Sequence, residues 1–164
     1  MKEAKKLRWL LYGAVIAALY VVLTELENLL LPTLANGVIQ VRFSEALNVF
    51  ACFTSAAVPG VFIGCIIANI LGGCIIWDVI FGSLASLIGA IGTYFLRKNR
   101  ILALLCPIIS NTVIVPLVLK FAYQAEGTVP FFMLTVAIGE IISCGLLGYL
   151  LGLLTNKYQK YIFR

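Results

Sequence analysis

The sequence predicts an all-α integral membrane protein of six transmembrane helices with both termini cytoplasmic, and three observations predict it. Of 164 residues, 62% are apolar and only 12% charged, with a mean hydropathy of +1.07, far outside the usage of water-soluble domains. The apolar residues gather into runs at 9–31, 44–57, 59–72, 75–96, 101–122 and 130–154, each parted from the next by Pro, Gly or charge. The basic residues then sort by side. With six crossings, Lys2, Lys5, Lys6, Arg8, Arg97, Lys98, Arg100, Lys157, Lys160 and Arg164 share one side, ten of the twelve, leaving Arg42 and Lys120 opposite. Five crossings would divide them five against seven, so the positive-inside rule selects six, in one membrane domain over 1–164.

Taken in order, the first run spans about 34 Å at 1.5 Å per residue, enough to cross a bilayer. It is longer than the apolar core of a signal peptide, about 7 to 15 residues. Gly13, Ala14, Ala17 and Ala18 give this helix overlapping small-xxx-small pairs, for close packing within the bundle or, at Ala14 and Ala18, for docking a partner subunit on an outer face. The second run opens at Ser44, a good N-cap, followed by Glu45 in the positive end of the helix dipole, so Arg42 and Glu45 are expected to pair at a helix mouth. Runs 44–57 and 59–72 are only about 20 Å each and are expected to form a short hairpin turning at Pro59-Gly60. Such short helices must tilt or lean on longer neighbours.

In the third and sixth helices Gly60 with Gly64, and Gly148 with Gly152, mark close packing. The fourth carries a narrow face of Gly82, Ser86, Gly89 and Thr93. In the fifth, Pro107 and Pro116 remove two amide donors, and broken backbone of this kind is tolerated only where protein covers it or a cavity adjoins it.

Several function classes are excluded. The net charge of +5 resides in loops and termini as a topology signal, which argues against nucleic acid as a partner. Without histidine there is no His-based metal site and no Ser-His or Cys-His pair. Asp78 is the sole aspartate, so a two-aspartate protease is excluded. No glycine precedes a lysine, so the phosphate-cradling loop is absent and any ATP is hydrolysed by another chain. Cys52, Cys65, Cys74, Cys106 and Cys144 show no CxxC spacing and read as small hydrophobes. No metal or cofactor is expected in this chain.

Polar groups inside a membrane are functional candidates by default. Glu140 lies ten residues into the sixth helix, about 15 Å deep and so near the midplane. Asn111 reaches a similar level in the fifth, so the two are expected to share a cavity wall. Asn48 and Asn69 flank the Pro59 turn at one depth, either bonding each other across the hairpin or meeting a ligand. Asp78, Trp77, Lys120, Glu25 and Glu27 fall near the outer surface, where Trp77 reads as an interface anchor and the two glutamates as solvated. This inventory describes a cup open to the outside.

The stretches VRFSEALNVF, PGVFIGCIIANILGG and DVIFGSLASLIGAIGTYFLRKN, within 14–99, resemble the queuosine-precursor transporter family (QueT), itself similar to the substrate-binding S components of energy-coupling-factor (ECF) transporters. The resemblance implies a non-enzymatic, six-helix subunit of the cell membrane. It would capture a 7-deazaguanine base or queuine outside the cell and work with a transmembrane coupling subunit and two cytosolic ATPase subunits. Ala14 and Ala18 match the AxxxA motif with which S components meet the coupling subunit. A carboxylate such as Glu140 can accept the paired donors of a guanine-like edge, and an amide such as Asn111 can donate and accept. Phe43, Phe81 or Trp77 offers an aromatic face for the base. The expected site is therefore Glu140, Asn111, Asn69, Asp78, Asn48 and the Arg42–Glu45 mouth with those aromatics. The alternatives are an S component for another vitamin-like metabolite and a self-sufficient proton-coupled carrier with Glu140 as relay. A membrane enzyme is disfavoured, since Ser110, Ser143 and Cys144 lack a base partner.

Overall fold

The computed structural model describes residues 2–35 and 39–162, and among these every regular element is a helix, with no strand. Arg164, used in the charge count above, lies outside the described residues. Helix α1 (Lys2–Leu30) is followed by the single turn α2 (Pro32–Ala35), a 3₁₀ helix over Phe43–Cys52, α3 (Ala57–Leu71), α4 (Ile76–Phe95) and α5 (Arg100–Leu117). α5 runs on into a π-helical turn, Val118–Ala122. Helix α6 (Val129–Glu140) continues through a π-helical stretch, Ile141–Leu147, into α7 (Gly148–Ile162). Lys2–Leu30, Ile76–Phe95, Arg100–Ala122 and Val129–Gln159 are each long and apolar enough to cross a membrane, while Ala57–Leu71 is apolar but shorter.

The second apolar run departs from the expected hairpin in two ways. It is a 3₁₀ helix, whose rise of about 2 Å per residue lets ten residues reach about 20 Å, and the chain reverses at 53–56 rather than at Pro59-Gly60. Pro59 instead sits in the first turn of α3, where a missing amide proton costs no helical bond. The Ser44 cap is also corrected. Arg42, in extended conformation, precedes the helix without any side-chain cap, and the Ser44 hydroxyl is bonded to Thr24 Oγ1 at 2.9 Å.

The 3₁₀ helix is the axis of the bundle. Ser44, Glu45, Ala46, Leu47, Asn48, Val49 and Ala51 are all buried, because α1, α3, α4, α5, α7 and the π-helical stretch all pack on it. Small residues make this closeness possible. A Cβ at Gly64 would lie 2.7 Å from Tyr20 Cβ, and one at Gly89 2.6 Å from Pro107 Cα, so α3 rides on α1 and α4 on α5 with nearly bare backbones. At Gly139 the Gln40 carbonyl fills the space of the missing side chain. That contact lays the segment before the 3₁₀ helix against α6. Ala14 and Ala18 lie on the other side of α1 and are exposed.

Candidate functional site

Glu45 is the hub of a buried polar network, and its position follows from the axial 3₁₀ helix, which has neighbours on every side. Its Oε1 accepts hydrogen bonds from Tyr20 Oη and from Ser86 Oγ at 3.0 Å. Its Oε2 accepts from Asn48 Nδ2 at 2.8 Å and from Asn111 Nδ2 at 3.4 Å. Four donors from α1, α4, α5 and its own helix thus occupy one carboxyl. The Asn111 nitrogen also donates to Glu140 Oε1 at 3.0 Å, and Cys144 Sγ stands 3.3 Å from Glu140 Oε2. Glu45, Asn111 and Glu140 are 2%, 2% and 8% exposed, so the polar atoms have each other instead of water.

The π-helical stretch sets the α6–α7 side of this network. Widening begins immediately after Glu140, and such insertions are frequent at functional sites because they re-aim a helix face. Here Cys144 is turned onto Glu140, and Ser143 Oγ accepts the Arg42 backbone N–H at 2.9 Å. The Arg42–Glu45 ion pair expected from the sequence is not formed among the described residues. The Glu45 carboxyl turns inward to Tyr20, Ser86 and the two amides, and Arg42 meets it through backbone, the Glu45 N–H donating to the Arg42 carbonyl at 3.1 Å.

Two polar spaces adjoin Arg42. The inner one, lined by Gln40, Arg42, Glu45, Gly82, Ser86, Asn111 and Glu140 among others, measures about 20 Å³, room for a single water. The second measures about 250 Å³ and lies between the last turns of α1 and α3, lined by Thr24, Glu25, Glu27, Asn28, Arg42, Asn69 and Cys74 among others. The two spaces are thus a narrow chamber and a wider vestibule that share Arg42 in their walls.

The remaining expected residues divide between these spaces and elsewhere. Asn48 and Asn69 do not bond each other. Asn48 serves Glu45, whereas Asn69 Nδ2 reaches Cys65 Sγ at 3.6 Å and the Asp78 carbonyl at 3.4 Å. Asp78 is buried and accepts from Tyr123 Oη at 3.0 Å. Burial and the neighbouring Asp78 push the Tyr123 phenol above its ordinary range. Trp77 and Phe81 stack on each other, centroids 6.1 Å apart. Both line an apolar groove of about 610 Å³ between α4 and α5, not the polar chamber, because each is on the outward face of α4 and 54% and 42% exposed. Phe43 N–H donates to Glu27 Oε2 at 3.1 Å.

The sequence reading missed Tyr20, Ser86, Cys144 and Glu27. Ser86 already stood on the small-residue face of α4, and Tyr20 lies one turn beyond Ala17 on the packing face of α1. Glu27 is the sharper miss: read as solvated, it is only 3% exposed, since the segment around Phe43 folds over it. Glu45, Glu140 and Cys144 present donor atoms within 4.8 Å of one another, the spacing of a metal site. The Glu45 oxygens are already bonded to four protein donors, which an ion would have to displace, and a single thiol beside two carboxylates mixes soft and hard ligands.

No solved structure matches the chain. A stretch of 76 residues is 43% identical to the queuosine precursor transporter QueT of Lactococcus lactis subsp. cremoris, covering 46% of this chain and 43% of that relative, so less than half of the relative's length is matched. The family model described as QueT transporter matches residues 10–157. A match over nearly the whole sequence, on a bundle whose four long apolar helices can cross a membrane, identifies the chain as a member of the QueT transporter family, a family of transporters and not of enzymes.

Proposed function

We propose that this protein is the substrate-binding S component of an ECF-type, ATP-driven importer, and that it captures a queuosine precursor, a 7-deazaguanine base or queuine, from outside the cell. The observation that carries the reading is the pairing of Glu140 and Glu45 through Asn111 in the middle of an apolar bundle. Acidic groups at that depth are expensive and are kept for function. A carboxylate with an amide beside it complements the ring N–H, amino group and carbonyl of a guanine-like edge. In this reading the chain crosses the membrane six times with both termini cytoplasmic. The 3₁₀ helix and α3 are its short second and third crossings, backed by the longer helices. The end of the bundle holding Arg42 and Asp78 faces outward. Ala14 and Ala18, exposed on α1, dock the coupling subunit, and two cytosolic ATPase subunits provide the energy this chain has no motif to supply.

The chamber beside Glu140 admits one water, so cargo reaches that carboxylate only when the walls around Arg42 part. A proton-coupled carrier is the second reading, favoured by the same buried acid. Reconstitution separates them. Proteoliposomes with coupling and ATPase subunits should accumulate radiolabelled 7-deazaguanine only with ATP, and the chain alone should accumulate none. Uptake by the chain alone, driven by a pH gradient, would establish the carrier and end the S-component reading.

A further inference from the structure

We infer that the vestibule between α1 and α3 is a ligand site in its own right, the seat in which cargo is first held, with Glu27 as its principal acceptor. The inference rests on the substrate class proposed above but assigns the contact to a different place. Size is the first ground: about 250 Å³ against about 20 Å³ in the inner chamber, and close to the lower bound of about 300 Å³ for small-molecule pockets.

The state of Glu27 is the second, independent ground. The Phe43 N–H holds Oε2 at 3.1 Å and thereby fixes the carboxyl, while Oε1 is buried without any partner in a residue only 3% exposed. An acceptor withdrawn from water and left unbonded is costly unless something else meets it. Glu25 Oε1, on the same wall, is likewise buried and unbonded. Across the space stands the cationic Arg42, which also feels the charges of Asp78 and Glu45, and Asn28 and Asn69 complete the polar wall. Two carboxyls against one guanidinium leave an excess of acceptors. That favours a flat heterocycle presenting adjacent N–H donors, with a carbonyl to meet Arg42, over an anionic ligand.

Cys74, half-buried in the same wall, reports occupancy. Purified protein in nanodiscs is to be alkylated with a maleimide, with and without 7-deazaguanine, and modification of Cys74 followed by peptide mass mapping. Saturating 7-deazaguanine should slow Cys74 alkylation. Glu27→Gln should weaken binding by roughly 10- to 100-fold, as expected for a lost charge-assisted donor pair. 7-Deazahypoxanthine, lacking the amino group, should bind more weakly to the unaltered protein but no differently from 7-deazaguanine to Glu27→Gln. If Glu27→Gln does not fold, Glu25→Gln and Cys74 protection decide. Saturable binding that leaves Cys74 unprotected, or that Glu140→Gln abolishes while Glu27→Gln and Glu25→Gln leave it intact, overturns the vestibule site alone. Absence of saturable binding overturns the substrate reading with it.

Discussion

The side-chain nitrogen of Asn111 donates to Glu140 Oε1 at 3.0 Å, and the same nitrogen reaches Glu45 Oε2 at 3.4 Å. One amide on α5 therefore holds two acids that arrive from opposite ends of the sequence. Replacing it with leucine, similar in size but unable to donate, should destabilise the protein by about 2 kcal/mol, the scale for removing a hydrogen bond to a charged group. Denaturation in mixed micelles checks this. A stability unchanged to within about 0.5 kcal/mol would mean that the acids do not depend on Asn111.

Glu45 and Glu140 should differ in what they do for the fold. Glu45 meets four donors, so Glu45→Gln turns an amide against them and leaves donors unmatched, with an expected loss above about 3 kcal/mol. Glu140 meets only Asn111 and Cys144 among the described residues, and Glu140→Gln should fold. Yields of monodisperse protein compare the two directly.

The two faces of α1 should respond oppositely. Ala14→Leu with Ala18→Leu adds bulk to an exposed face and should leave thermal stability unchanged while abolishing co-purification with the proposed coupling subunit. Gly64→Ala places a Cβ 2.7 Å from Tyr20 Cβ and should cost about 1–3 kcal/mol by overpacking. Pro59→Ala, in the first turn of α3, should shift stability by less than about 0.5 kcal/mol. A large loss there would restore Pro59 as the apex of the hairpin.

Alkylation of Cys74 should be shifted to higher pH than for a free thiol. Burial, and then the adjacent Asp78, push its thiol above the ordinary cysteine value, and the thiolate is the reactive form. The rate should therefore still be rising with pH where a free thiol has levelled, and Asp78→Asn should move the profile back toward lower pH. A profile like that of free cysteine would contradict the burial of this wall.

Depth counting put Glu140 and Asn111 at one level, and they touch, because both lie on regular helix with a rise that can be counted from its ends. The packing faces of α1, α3 and α4 were equally legible, as Gly and Ala at four-residue spacing have few other uses in a membrane. The second run was not. Its apolar pattern does not distinguish an α-helix from the 3₁₀ helix, and Glu45 is buried because helices far apart in the sequence pack on every side of that helix. Glu27 escaped for a related reason: its burial comes from Phe43, sixteen positions away, and from the path of the chain between them, which no local pattern encodes. Trp77 and Phe81 were expected to offer a face to the base, but they line the apolar groove instead, because the face a residue of α4 occupies depends on which neighbour packs there.

The central claim, that this chain holds a deazapurine through acids buried in the membrane, is tested most directly by equilibrium titration of 7-deazaguanine into the purified protein and its Glu140→Gln variant in nanodiscs. The account predicts saturable binding, weakened at least about tenfold in the variant. No saturable binding, or equal affinity in the two proteins, would contradict it.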